Sequence, residues 1–194
     1  MTPDQCTLFE AAKTGKFSAL PKSLLSVENF LVKNEAERNM SPLQVAAQCG
    51  HLDKVPADIL TLSNLVDANK DGFSSIHWAA IHGSLNQITF ALNLSTLLIP
   101  MSSQWTPLHF AAWNNNLDQI PRALLSEYLT DPKRTDNSVL DDAVTNNSID
   151  QLLGFELPES SKEIVGVEWW EKNQAVLRSR SNLTEQDTFD IDIF

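Results

Sequence analysis

Apolar positions along the chain follow a short helical pattern that is written several times over. In Thr106-Pro107-Leu108-His109-Phe110-Ala111-Ala112, Leu108, Ala111 and Ala112 recur at helical spacing. Thr106 suits a helix cap and Pro107 the first helical position, where the missing N–H costs nothing. Two small residues let a second helix lie close. The same pattern stands at Ser41-Pro42-Leu43-Gln44-Val45-Ala46-Ala47 and at Ser74-Ser75-Ile76-His77-Trp78-Ala79-Ala80. Ser41 to Ser74 is 33 residues, and Ser74 to Thr106 is 32. A further 32 residues lead to a weaker copy at Ser138–Val144, and 35 residues back from Ser41 lies another at Cys6–Ala12.

Each copy predicts an inner helix, a turn, an outer helix and a loop. In the second copy the inner helix runs from about Pro42 to Cys49, with Gly50 and His51 as the turn. The outer helix begins near Leu52 and sets Leu52, Val55, Ile59 and Leu60 on one face. Pro21, Pro56 and Pro121 share one register, predicted as the first turn of the outer helix. A second apolar patch follows, Leu62 to Val66 or Leu94 to Ile99, expected to pack under the loop. Beyond Leu157 the period stops. Val165 to Arg180 is predicted as a helix with Val167, Trp170, Gln174 and Leu177 on one face, capping the last repeat. From Thr184 to Phe194 apolar and acidic residues alternate, which predicts an extended tail.

A fixed period near 33 carrying T-P-L-H-x-A-A runs resembles the ankyrin repeat. Leu-Asp-Lys-Val-Pro and Leu-Asp-Gln-Ile-Pro at the outer-helix starts resemble bacterial members of that family. The resemblance implies an all-α ankyrin-repeat solenoid of about five helix-turn-helix units over residues 5–155, with a C-terminal capping helix and acidic tail over 156–194. Asn69-Lys70-Asp71-Gly72 is similar to the family's finger turn, whereas Asn39, Gln104 and Asp136 replace the glycine in the others. The resemblance also implies that His77 and His109 are structural, bridging neighbouring fingers. Asp141 and Asp142 depart from the pattern, as a terminal cap would.

Charge adds one feature. The net charge is −11, which argues against direct nucleic-acid binding. Residues 1–140 hold 13 acidic and 10 basic side chains, and residues 141–194 hold 12 and 4, so the acid gathers at the C-terminal end. Cys6 and Cys49 suggest neither a disulfide framework nor a zinc site. With no apolar leader or membrane span in the sequence, a cytoplasmic protein is expected.

No nucleophile, base or metal-ligand pattern stands out, so no catalytic residue, metal or cofactor is expected. His51 and His82 fall in turns without ligating neighbours. Lys13-Thr14-Gly15-Lys16 lacks the earlier glycine of a phosphate loop. Binding is better supported. In ankyrin proteins the fingers and the exposed side of the inner helices line a concave groove. By register this places Met40, Phe73 and Trp105 in one row and Ile81, Trp113 and Asn114 beside it, with Trp78 and Phe110 in the core. Stacking aligns such positions, and Trp is the residue most enriched at interface hot spots. The partner is expected to be a protein, and the exposed Trp row would equally serve a homodimer. A second expectation concerns the tail. Phe189, Ile191, Ile193 and Phe194 resemble the acidic docking tails of bacterial single-stranded-DNA-binding proteins. Such a tail would recruit a partner by inserting Phe194 in a pocket rimmed by arginine or lysine. Separately, the acidic C-terminal region would act as an inhibitor or decoy that docks a basic surface of a nucleic-acid enzyme.

Overall fold

The computed structural model describes residues 3–131 and 137–189. Inner helices and second helices alternate along it. They are α1 (Pro3–Thr14), α2 (Val27–Leu31), α3 (Pro42–Gln48), α4 (Leu62–Leu65), α5 (Ser75–His82), α6 (Leu94–Leu97), α7 (Pro107–Trp113), α8 (Arg122–Thr130) and α9 (Ser138–Thr145), followed by α10 (Lys162–Val165) and α11 (Val167–Phe189). No strand occurs among the described residues; Asn34 and Met40 form an isolated bridge.

The odd-numbered helices α1 to α9 stack side by side, and their small residues allow it. Ala46, Ala47, Ala79, Ala80, Ala111 and Ala112 are all fully buried. Their starts are chemically specified. Ser41 Oγ accepts the Gln44 N–H at 3.3 Å while Gln44 Oε1 accepts the Ser41 N–H at 3.1 Å. Such a reciprocal cap is worth roughly 1 kcal/mol. Polar side chains at the turns then tie each repeat to the one before. Ser84 Oγ donates to Ala47 O (2.9 Å), Asn116 Nδ2 to Ala80 O (2.9 Å) and Ser148 Oγ to Ala112 O (2.5 Å).

The second half of each repeat differs from the sequence expectation. There is no continuous outer helix carrying proline in its first turn. Short 3-10 turns at Phe17–Ala19, Leu52–Lys54 and Leu117–Gln119 end at Leu20, Val55 and Ile120, which are extended with ψ of 148°, 139° and 133°. Proline excludes its preceding residue from the helical region, so Pro21, Pro56 and Pro121 break the segment rather than open it. Pro121 instead sits at the N-cap of α8. The expected apolar face survives the break, since Leu52, Val55 and Ile59 are at most 5% exposed. The second apolar patches contain α4 and α6, capped by Thr61 and Asn93.

The fifth repeat is completed by the C-terminal segment. Gly166 (φ 80°) separates α10 from α11. The buried face of α11 overlaps the predicted one and is rotated from it: Trp170 is buried and Gln174 and Leu177 are half-buried as the pattern implies, but Val167 is 58% exposed, and Trp169 and Asn173 are buried in addition. Asn173 Oδ1 accepts the Gly154 N–H at 2.5 Å and its Nδ2 donates to Phe155 O at 2.9 Å. Trp169 Nε1 donates to Asp150 Oδ1 at 3.1 Å. These partners fix the rotation of α11 about its axis. The helix runs to Phe189, so the first part of the predicted extended tail is helical; Leu183, Glu185 and Gln186 are good helix formers. Ile191, Ile193 and Phe194 lie outside the described residues, as does Asp136.

Candidate functional site

Fingers before α5 and α7 hold their shape through backbone bonds and glycine. Asn69 N donates to Phe73 O (2.8 Å) and Met101 N to Trp105 O (2.8 Å), so both loops close on the residue preceding the helix cap. Ser102 N and Oγ both donate to Asp71 O, at 3.3 and 3.0 Å, which locks one finger to the next. Gly72 has φ +87°, and a Cβ there would lie 2.9 Å from Met101 Cα. Only glycine suits that close approach. Asn39 (φ 56°) and Gln104 (φ 69°) adopt the same half of backbone space without being glycine.

Buried polar groups brace the helices against these fingers. His77 is fully buried. Its Nδ1 accepts the Ser74 N–H at 3.2 Å and its Nε2 donates to Ile99 O at 3.1 Å. Burial pushes its pKa down to about 4, with the Ile99 carbonyl opposing, so the ring is neutral at pH 7. His109 repeats the bridge, with Nδ1 2.7 Å from Thr106 Oγ1 and Nε2 2.6 Å from Ser138 Oγ. His109 thus reaches the next repeat, while His77 ties α5 to the loop of its own repeat that leads into the next finger.

Aromatic rings run continuously along the face that the fingers and inner helices share. His82 stacks on Trp78 (centroids 5.9 Å apart), Trp78 on Phe73 (5.0 Å), and Phe73 meets Phe110 at 5.7 Å. Phe110 meets Trp105 at 5.1 Å, and Trp105 meets Trp113 edge to face at 5.4 Å. Burial lowers the His82 pKa. Phe73, Ile81, Met101, Trp105, Phe110 and Trp113 line a groove of about 460 Å³, with Asn114 at its edge.

Five of the six residues expected at the binding surface, Phe73, Ile81, Trp105, Trp113 and Asn114, come together there. Trp113 is 43% exposed. Met40 does not join them. It is 3% exposed, its N–H donates to Glu37 O, and its carbonyl accepts the Asn34 N–H, which turns the side chain into the core of the second repeat. Trp78 and Phe110 were expected in the core but are half-buried, packed on the core on one side and contributing rings to the groove row on the other. The Val45 position they share explains both outcomes: a valine there is covered, whereas a larger ring reaches past the helix surface. Sequence reasoning assigned Trp78 and Phe110 only to packing and so missed that they join the two rows. Their 32-residue spacing was the available signal.

No cluster of three or more histidine, cysteine, aspartate or glutamate side chains among the described residues is placed to hold a metal, and no described helix is long and apolar enough to cross a membrane.

Stacked helix pairs, finger loops and a shared concave face define a helical repeat solenoid. Residues 76–124 match the family described as ankyrin repeats (many copies), and the matched stretch runs from α5 into α8. Before the matched stretch the same reciprocal cap and buried alanine pair recur at Ser41, Ala46 and Ala47, and the chain carries ankyrin repeats in an all-helical solenoid. No curated protein matches the sequence. Ankyrin repeats generally mediate protein–protein interaction.

Proposed function

We propose that this is a non-enzymatic interaction protein that holds a protein partner in the groove of Phe73, Ile81, Trp105, Trp113 and Asn114. One observation carries the reading: an unbroken row of rings, ending in an exposed indole, on the face that the fingers and inner helices form. Folding gives no reason to leave Trp113 at that exposure. Rigid aromatic side chains in a concave, partly desolvated patch supply most of the binding energy in protein interfaces. The bonded histidines are occupied as braces, which leaves no general base poised in the groove. Two exposed thiols, Cys6 and Cys49, suit a reducing intracellular setting.

The acidic decoy reading rests on the concentration of carboxylates after residue 140. Affinity capture separates the two, using three baits: wild type, Trp105→Ala/Trp113→Ala, and a truncation after Ser181. A protein lost only with the double variant supports the groove. A protein lost only with the truncation sinks the groove reading and makes the acidic tail the working element.

A further inference from the structure

The backbone around the groove's rings is already bonded within the chain. Phe73 donates its N–H to Asn69 Oδ1 at 2.9 Å, and its carbonyl accepts from Asn69 N and from Gln44 Nε2. Met101 donates its N–H to Trp105 O, and its carbonyl accepts the Gln104 N–H at 2.9 Å. On the helix side, Asn116 Nδ2 donates to Ile81 O at 3.2 Å, and the N–H and Nδ2 of Asn114 both donate to Phe110 O. A segment laid in the groove therefore meets rings and aliphatic carbons rather than an open strand edge. There an extended segment loses water from its N–H and C=O groups and gains no partner for them, whereas a helix satisfies its own. Among the described residues that line the groove none is charged, so a charge pressed into it would lose solvation without a counter-ion. Over the whole chain acidic side chains outnumber basic ones by 25 to 14, which favours a partner that is basic outside the contact.

The repeat also sets a spacing. Phe73 and Trp105 hold equivalent positions in consecutive repeats, 32 residues apart, as do Ile81 and Trp113. Packed helices lie about 8–10 Å apart, and two turns of a helix rise about 10.5 Å. Side chains at i and i+7 of a helix laid across α5 and α7 thus meet equivalent positions.

We infer that the occupant of the groove is an amphipathic α-helix of a partner protein, with an uncharged apolar face at i, i+3 or i+4 and i+7 and with lysine or arginine on its solvent side. This rests on the groove reading and deepens it.

The test is selection, against the full chain, of displayed random peptides of about 16 residues, some 24 Å long when helical. Enriched peptides are expected to carry apolar residues at i, i+3 or i+4 and i+7, and to gain helicity on binding, read from the carbon chemical shifts of labelled peptide. Proline at a central solvent-side position should weaken binding at least about tenfold, and alanine there should not. Glutamate in place of a solvent-side lysine or arginine should slow association at low salt and matter little at high salt. Four outcomes overturn the inference: no enrichment, bound peptides that alternate apolar residues or gain no helicity, tolerance of the proline, and an association rate indifferent to the charge swap. A dimer of the chain that Trp113→Ala disperses also overturns it, because the occupant is then a second copy. If non-helical peptides still lose affinity with Trp113→Ala, the groove reading stands without the helix. Peptides insensitive to Trp113→Ala overturn the groove reading itself.

Discussion

Gln44 and His77 occupy the same position in consecutive repeats and make the same pair of bonds. Each accepts the N–H of its helix cap, Ser41 at 3.1 Å and Ser74 at 3.2 Å. Each donates across to the carbonyl seven residues before the next cap, Asp67 at 3.0 Å and Ile99 at 3.1 Å. Gln44 Nε2 also reaches Phe73 O at 2.9 Å. An amide and an imidazole are thus interchangeable braces, but only one of them titrates.

That difference predicts a pH dependence. The folded pKa of His77 is lowered from 6.5 to about 4, so the unfolded chain binds the proton more readily. The stabilisation is complete above the unfolded value and is lost as pH falls from about 6.5 towards 4, to a total of roughly 3 kcal/mol. Below that the native ring is protonated too and the loss stops. His77→Gln should fold, using the Gln44 geometry, and should lose less stability than wild type between pH 7 and pH 4. Thermal melts across that range check it; parallel profiles would show that His77 does not set the acid sensitivity.

Pro56 breaks a helix that would end there in any case. In the third repeat Thr89 stands at the proline position, yet Ile88 leaves helical geometry all the same, at φ −129° and ψ 31°. The break therefore does not depend on proline alone. Pro56→Ala is therefore expected to cost only about 0.5–1 kcal/mol, through the freer unfolded chain. Urea unfolding measures this. A loss several times larger would mean that proline holds the turn.

Much of this architecture was legible because it repeats. The cap, the buried alanines and the inner helices α3, α5 and α7 follow directly from residue type and spacing. The outer segments were misread because an apolar face with helical spacing also fits a 3-10 turn followed by a second short helix, and periodicity does not register where the backbone breaks. At the groove, Trp105 and Trp113 were legible from register. Met40 was not, since its burial depends on how the first finger turns through the left-handed residues Arg38 and Asn39. On α11 the apolar pattern placed Trp170, Gln174 and Leu177 correctly on the inner side but also Val167, which is exposed; the buried amide of Asn173 sets the final rotation. A polar residue inside a cap leaves no hydrophobic signal.

Asn173 consequently makes a sharp prediction for the C-terminal cap. Asn173→Ala leaves the Gly154 N–H and the Phe155 carbonyl without their partner in a buried place, at a cost of about 2 kcal/mol or more. The fifth repeat should loosen first. Hydrogen exchange should show faster exchange at Gly154 and along α9 while α3 and α5 stay protected. Uniform acceleration along the chain would mean that the cap is not a separate layer of stability.

The central claim is that the ring row is a binding surface, and Trp113 tests it most directly because its removal costs the fold little. With the protein captured by the wild-type chain in hand, the affinities of wild type and Trp113→Ala are compared by calorimetry alongside their melting temperatures. The expected result is a loss of at least about 2 kcal/mol in binding, more than tenfold, with the melting temperature nearly unchanged. Equal affinity for the two chains would contradict the account.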